Sequence, residues 1–301
     1  MDDDIATAIR TELTTIRTEL AQIRDQSNAT VSSLQRNNAY LARQEIERVL
    51  AITKVDEKRL EQYGFKVYSQ GDEDGIIEEI CRRLGLNKGT FCEIGVENGL
   101  ECNSLYLIHK GWTGVWIEGN SAQQEQLTAK FHSIIPSRLK LAIGIITAEN
   151  INLAFSQIPV PSDLDFLSID IDGMDIYLLD ALDIRPKIIC IEYNAKFPAN
   201  ISKKPVYNST KFWAGTDYMG SSLKAMCETA EGKGYRLVAT SITGGNAFFV
   251  RDDLCGDYFT KNSSPEYLYN PPRYWLVFDH FWQIGHRADF GPYVDLISES
   301  S

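Results

Sequence analysis

The residues of this chain best suited to chemistry are carboxylates that recur at the ends of short apolar runs. Glu93-Ile94-Gly95-Val96-Glu97-Asn98-Gly99 follows one such run directly and precedes a helical stretch, Leu100 to His109. Glycines in that position let a backbone approach a ligand closely, and ligands of open α/β sheets sit at the carboxyl ends of the strands. An acid there would repel a pyrophosphate, so the loop suits a cationic ligand instead. Glu118 closes the next apolar run, and Asp170-Ile171-Asp172-Gly173-Met174-Asp175 and Glu192-Tyr193-Asn194 follow two more. Oxygen ligands from neighbouring strand ends suit a hard divalent cation such as Mg²⁺ or Mn²⁺. Asp170, Asp172, Glu192 and Asn194 form that candidate set; the alternative is that Asp172 and Asp175 cap the next helix.

Such residues meet only if the chain folds as a parallel sheet, and its pattern is that of one. Thr90–Ile94, Gly114–Glu118, Leu139–Ile146, Asp165–Asp170 and Lys187–Glu192 read as five strands, apolar on both faces as buried parallel strands are. Helical patterns separate them, the alternation of an α/β domain with crossover helices. Gly234–Ala239 and Asn246–Val250 read as two further strands joined across Gly244-Gly245, a hairpin signal. An insertion from Phe197 to Tyr218, rich in aromatics and lysines, precedes the helix that begins near Ser221. After Cys255 an aromatic tail reads as a cap over the core, with Pro271-Pro272 introducing a last helix.

Before the sheet, Ile9, Leu13, Ile16, Leu20 and Ile23 step by four and three, the heptad spacing of a coiled-coil seam. Polar Ser27, Thr30 and Asn37 interrupt the seam and leave dimer and trimer both open. The sequence thus divides into an oligomerisation helix at 1–52, a catalytic-sized α/β domain at 53–255 and the cap at 256–301, with homo-oligomerisation expected through residues 5–50. The net charge of −11 disfavours a nucleic-acid partner. Six scattered cysteines suit reduced thiols, and neither a signal peptide nor a membrane span is evident, so the chain is expected to be cytoplasmic.

Together Glu93, Gly95 and Gly99, Glu118 at the second strand end, Asp170 at the fourth and the Phe248-Phe249 hairpin resemble class I S-adenosylmethionine-dependent methyltransferases. The resemblance covers roughly residues 65 to 252 and implies a Rossmann-like class I methyltransferase sheet, parallel with a terminal antiparallel hairpin. It departs from the family at Glu97, where many members carry a middle glycine. The acids and Asn194 after strands four and five resemble the metal-dependent O-methyltransferases, sugar and catechol types among them. Ser69-Gln70-Gly71-Asp72-Glu73-Asp74-Gly75 is similar to a segment of methyltransferases from polysaccharide gene clusters, with a plain helix cap at Asp72 or Asp74 as the alternative.

The resemblance implies S-adenosylmethionine held by Gln70, Glu73, Glu93, Gly95, Gly99, Asn103, Glu118 and Asp170. It also implies a carbohydrate or other hydroxyl-bearing acceptor. Asp170 and, among the four histidines, His280 are the candidate catalytic groups. A nicotinamide dehydrogenase is disfavoured because the G-x-G-x-x-G fingerprint is missing. The competing reading from another class is a catalytically silent scaffold or binding protein assembled through the coiled coil.

Overall fold

The computed structural model describes residues 2–278. The chain divides into two units, a helical one reaching Arg48 and a globular one that starts at Val49. A single helix, α1 (Asp2–Thr53), runs through the first unit without a break, as a stretch free of glycine and proline allows. The hydroxyls of Thr11, Thr14, Thr15 and Thr18 each bond the carbonyl four residues back, so these side chains are satisfied within the helix. Ile9, Leu13, Ile16, Leu20 and Ile23 are all exposed, by 44% to 61%.

The globular unit alternates helix and strand: α2 (Glu73–Arg83), β1 (Thr90–Ile94), α3 (Leu105–His109), β2 (Thr113–Glu118), α4 (Gln124–Lys130), β3 (Leu139–Ile143), α5 (Ile151–Gln157), β4 (Phe166–Ile169), α6 (Asp175–Ala181), β5 (Ile188–Glu192), α7 (Leu223–Gly232), β6 (Tyr235–Thr240) and β7 (Asn246–Arg251). The seven strands form one sheet in the order β3-β2-β1-β4-β5-β7-β6. The first five are parallel, and β7 inserts antiparallel between β5 and β6. This is the expected Rossmann-like sheet with its closing hairpin.

The strands are apolar throughout because both faces are covered. Ile94, Val115, Ile117, Leu167 and Ile189 point to one layer, with Leu178, Leu179 and Met226 from α6 and α7. Their neighbours Phe91, Trp116, Phe166 and Ile188 point to the other, with Ile76, Ile80, Leu105 and Ile108 from α2 and α3, following the two-residue alternation of a strand. The chain leaves β1 toward β2 and β3 and returns to β4 on β1's other side. That reversal opens a crevice at the carboxyl ends of β1 and β4, where open α/β sheets bind ligands.

Two elements are shorter than the sequence suggests. β3 stops at Ile143 rather than Ile146 because its partner β2 ends at Glu118, directly opposite. The helix expected from Leu100 begins only at Leu105, because Gly99 turns through a positive φ and a carboxylate claims the amides of residues 103 and 104.

All six cysteines are buried and free. Beyond β7 the chain folds back on the sheet, where Thr240 and Tyr193 donate to the carbonyls of Leu268 and Asn270. A helical turn, Trp275–Phe278, follows Pro271-Pro272. His280 and the later aromatic residues lie outside the described residues. No helix among the described residues is long and apolar enough to cross a membrane.

Candidate functional site

A cleft of about 1220 Å³ opens at the carboxyl edge of the sheet, lined by the segments that follow β1, β2, β4 and β5 and by the β6–β7 hairpin. The glycine loop forms one wall. Gly95 and Gly99 have φ of +84° and +78°, the left-handed region that a side chain resists. A Cβ on Gly95 would stand 1.7 Å from the Asp170 carbonyl, and one on Gly99 would meet the Phe131 ring at 2.5 Å. Both glycines are therefore demanded by the turn and its packing, whatever binds beside them. Glu97 retains a φ of 47°, so the loop keeps there the conformation that a middle glycine would favour.

Glu93 and Glu118, the acids at the ends of β1 and β2, are both tied to backbone. Glu93 is buried and accepts from Asn103 N, Ser104 N and the Ser104 hydroxyl, which also receives the indole N–H of Trp116. Burial pushes its carboxyl up to about 7 in spite of these bonds. Glu93 thus fastens β1 to the start of α3 from the floor of the cleft. Asn103 extends the same network, its amide donating to Ser168 Oγ at 3.0 Å. Glu118 accepts from Val96 N and Glu97 N on one oxygen and from Asn120 N on the other. A carboxylate has about four acceptor positions, so Glu118 keeps one for a hydroxyl in the cleft.

The segment before α2 follows the same rule. Asp74 Oδ2 accepts from the amides of Val67, Tyr68 and Ser69. Glu73 accepts from Gly71 N and from the side chain of Asn246. Asp72 reaches across the fold to Ile242 N. A plain cap at Asp72 is not observed: the three consecutive acids brace the edge of the cleft, Asp74 against residues 67–69 and Asp72 and Glu73 against the β6–β7 hairpin. Gln70 lies exposed at the cleft rim.

On the opposite wall, carboxylate oxygens of Asp170, Asp175 and Glu192 all fall within 4.8 Å of one another. Asp175 is held by Ile171 N and Gly173 N, both at 2.9 Å, while Glu192 Oε2 is buried with no hydrogen-bond partner. Burial, then the neighbouring carboxylates, drive the carboxyl groups of Asp170 and Glu192 well above the ordinary range, and burial pushes Asp175 up to about 6. An unpartnered acid oxygen among like charges is costly when buried. A divalent cation bound by oxygen ligands would remove that cost, so the residues fit a metal of the Mg²⁺ or Mn²⁺ type.

Of the set expected from sequence, Asp170 and Glu192 belong to this trio, and Asp175 joins them. Asp172, exposed at a φ of 58°, and Asn194, whose amide donates to the Asp217 and Met219 carbonyls, border the same cleft. The position of Asp175 at a helix start and its capping bonds give it the sequence signature of an ordinary N-terminal residue, which conceals its place beside the other two carboxylates. The cleft's outer side is built by Lys196, Tyr207, Lys211, Phe212 and Trp213 from the insertion after β5, with Asn246 and Tyr274 from later segments. Neither of the last two carries a local sequence signal. His109 packs on Tyr68, and His132 bonds the Ala129 carbonyl.

No protein-family model matches the chain, and no curated protein matches it. Its fold, however, is similar to solved methyltransferases. A protein assigned as a caffeoyl-CoA O-methyltransferase from Staphylococcus aureus shares 15% identity and a TM-score of 0.42, over 71% of this chain and 99% of that one. An amino pentose methyltransferase of calicheamicin biosynthesis from Micromonospora echinaspora, solved with S-adenosylmethionine bound, shares 11% identity at 0.39, over 61% and 92%. The magnesium protoporphyrin IX methyltransferase of Synechocystis PCC 6803 shares 10% identity at 0.39, over 59% and 79%. The sheet itself, five parallel strands closed by an antiparallel pair, is the Rossmann-like arrangement expected from the sequence. Likeness this distant leaves activity to be argued from the site.

The Asp74 brace has a pH signature. Burial pushes its carboxyl up from 3.8 to about 6, and its Oδ1 has no partner. The folded chain therefore holds this proton more tightly than the unfolded chain does. The stability that results is fully present below about 3.8 and is lost as pH rises through about 6. Asp74→Asn keeps the accepting oxygen and abolishes the titration. Its stability relative to the native protein, followed by thermal melts, is expected to rise by up to about 3 kcal/mol between about pH 4 and 6.5 and then level off. A difference that is constant over that range would rule the titration out.

Proposed function

We propose that the chain is an S-adenosylmethionine-dependent O-methyltransferase that acts on a carbohydrate hydroxyl with the help of a divalent cation. One observation carries the reading: Glu118 and the glycine loop line the cleft together with Asp170 and Glu192, whose Oε2 has no partner and which lie within 4.8 Å of the buried Asp175 carboxylate. A cofactor bearing a sulfonium and an ammonium group suits an acidic wall, with Glu93, Gly95, Gly99 and Asn103 shaping the pocket and Glu118 taking the ribose hydroxyls. Gln70, Glu73 and Asp170 border the same space.

When bound, S-adenosylmethionine supplies a methyl group on positively charged sulfur, and the cation lowers the pKa of the acceptor hydroxyl. Asp170, Asp175 and Glu192 would hold the cation. Transfer forms a carbon–oxygen bond as the carbon–sulfur bond breaks; the electron pair stays on sulfur, and the hydroxyl proton passes to a base. Asp170 and His280 are the two candidates for that base. Tyr207, Phe212 and Trp213 offer aromatic faces to the apolar face of a sugar ring.

A silent scaffold is the second reading, and Glu192 speaks against it. A buried, unpartnered carboxylate weakens the fold and serves a scaffold in no way.

Calorimetric titration with S-adenosylmethionine is expected to show binding that Glu118→Ala weakens by about tenfold to a hundredfold, the worth of one or two hydrogen bonds to a charged group. Formation of S-adenosylhomocysteine with sugars, rather than with phenols, tests the acceptor. Failure of the folded native protein to bind S-adenosylmethionine would sink the proposal.

Glu192→Gln removes a buried charge while keeping the shape. In the presence of a chelator this variant is expected to be more stable than the native protein by about 1–3 kcal/mol, read as a higher melting temperature. Mn²⁺ should raise the melting temperature of the native protein and leave that of the variant unchanged. An equal response of both to Mn²⁺ would place the cation elsewhere.

A further inference from the structure

We infer that α1 joins copies of itself in a parallel coiled coil of more than two strands. The helix contains 52 residues, about 78 Å at 1.5 Å per residue. Its seam remains exposed from Ile9 to Leu41: Leu34 and Leu41 are more than half exposed, like most of the apolar residues before them. Contiguous apolar surface of this kind on a helix marks an interface.

The residue types select the number of strands. Written as heptads, Leu13, Leu20, Leu34 and Leu41 occupy position a, and Ile9, Ile16 and Ile23 occupy position d. A β-branched residue at a with leucine at d favours two strands, whereas leucine at a with isoleucine at d shifts the preference to three or four. The seam follows the second pattern at every apolar layer. Ser27, Thr30 and Asn37 continue the same positions, and copies aligned in register bury like against like there.

The charges select the direction and the partner. The segment Ile9-Arg10-Thr11-Glu12-Leu13 repeats as Ile16-Arg17-Thr18-Glu19-Leu20. It places Glu12 and Glu19 at position g and Arg17 and Arg24 at position e, all exposed. In a parallel alignment each g residue meets the following e residue of its neighbour, pairing Glu12 with Arg17 and Glu19 with Arg24 across every interface. An antiparallel alignment would set glutamate against glutamate and arginine against arginine. A chain whose flanking charges complement its own copy in one direction only is matched to a second copy of itself. In this arrangement the globular units all continue from the same end of the bundle.

Light scattering of the full-length protein is expected to give three or four times the 34.0 kDa chain mass, and a mass of one or two chains would overturn the inference. Direction is tested with two full-length variants, Glu12→Lys/Glu19→Lys and Arg17→Glu/Arg24→Glu. Each alone places like charges across every parallel interface and is expected to lose assembly, its mass falling toward that of one chain. An equimolar mixture of the two restores opposite charges at each contact and is expected to recover the native mass. Variants that assemble alone as well as the native protein, or a mixture that stays dissociated, would overturn the parallel pairing.

Discussion

Glu73, Glu93, Glu118, Asp170 and Glu192 all border one cleft at the carboxyl edge of a sheet whose interior is apolar, and the buried Asp175 lies directly behind two of them. Carboxylates taken from water are stable only where donors replace their hydration. The local architecture can be understood as the supply of those donors. The amides at the start of α3 go to Glu93, the glycine loop to Glu118, the turn after β4 to Asp175, and the hairpin side chain of Asn246 to Glu73. The late start of α3 and the left-handed backbone at Gly95, Glu97 and Gly99 follow from that supply rather than from helix or turn propensity.

The sheet was legible because burial on both faces leaves continuous apolar runs, such as Thr90–Ile94 and Ile188–Glu192, which no other element of that length explains as well. The strand ends were legible for the same reason: an acid closing an apolar run marks where the buried strand meets the cleft. Partnerships across the chain were not. Asp72 and Ile242 lie 170 positions apart, and nothing near either residue announces the other. Asp175 shows the same limit, because a helix-start aspartate looks alike in sequence whether it only satisfies amides or also faces two other carboxylates.

Only some of the carboxylates are fully compensated, and the difference separates the two walls of the cleft. On the β1 and β2 side Glu93 and Glu118 are held by backbone donors, so their geometry is fixed before any ligand arrives, the preorganisation that a binding wall requires. On the β4 and β5 side Asp170 and Glu192 face each other with Glu192 Oε2 unpartnered. A protein tolerates such a cost where a ligand removes it, and the sign of the charge requires that ligand to be a cation or a proton. Uneven compensation therefore says more about function here than the presence of acids does, since acids alone serve equally well as structural braces.

The same logic applies to the helical unit in the opposite sense. There the unmet requirement is apolar surface in water rather than charge away from it. A 52-residue helix carrying a heptad stripe could be stabilised by propensity and its own side-chain bonds, as the threonine hydroxyls show, but neither needs Leu and Ile to recur at a and d. Exposure of those residues costs solubility and contributes nothing to a solitary helix. Each unit thus holds a feature that its own fold does not satisfy, an unpartnered carboxylate oxygen at Glu192 in one and an apolar seam in the other. The chemistry of each feature limits what could complete it: a cation or a proton for the first, and an apolar surface of matching spacing for the second.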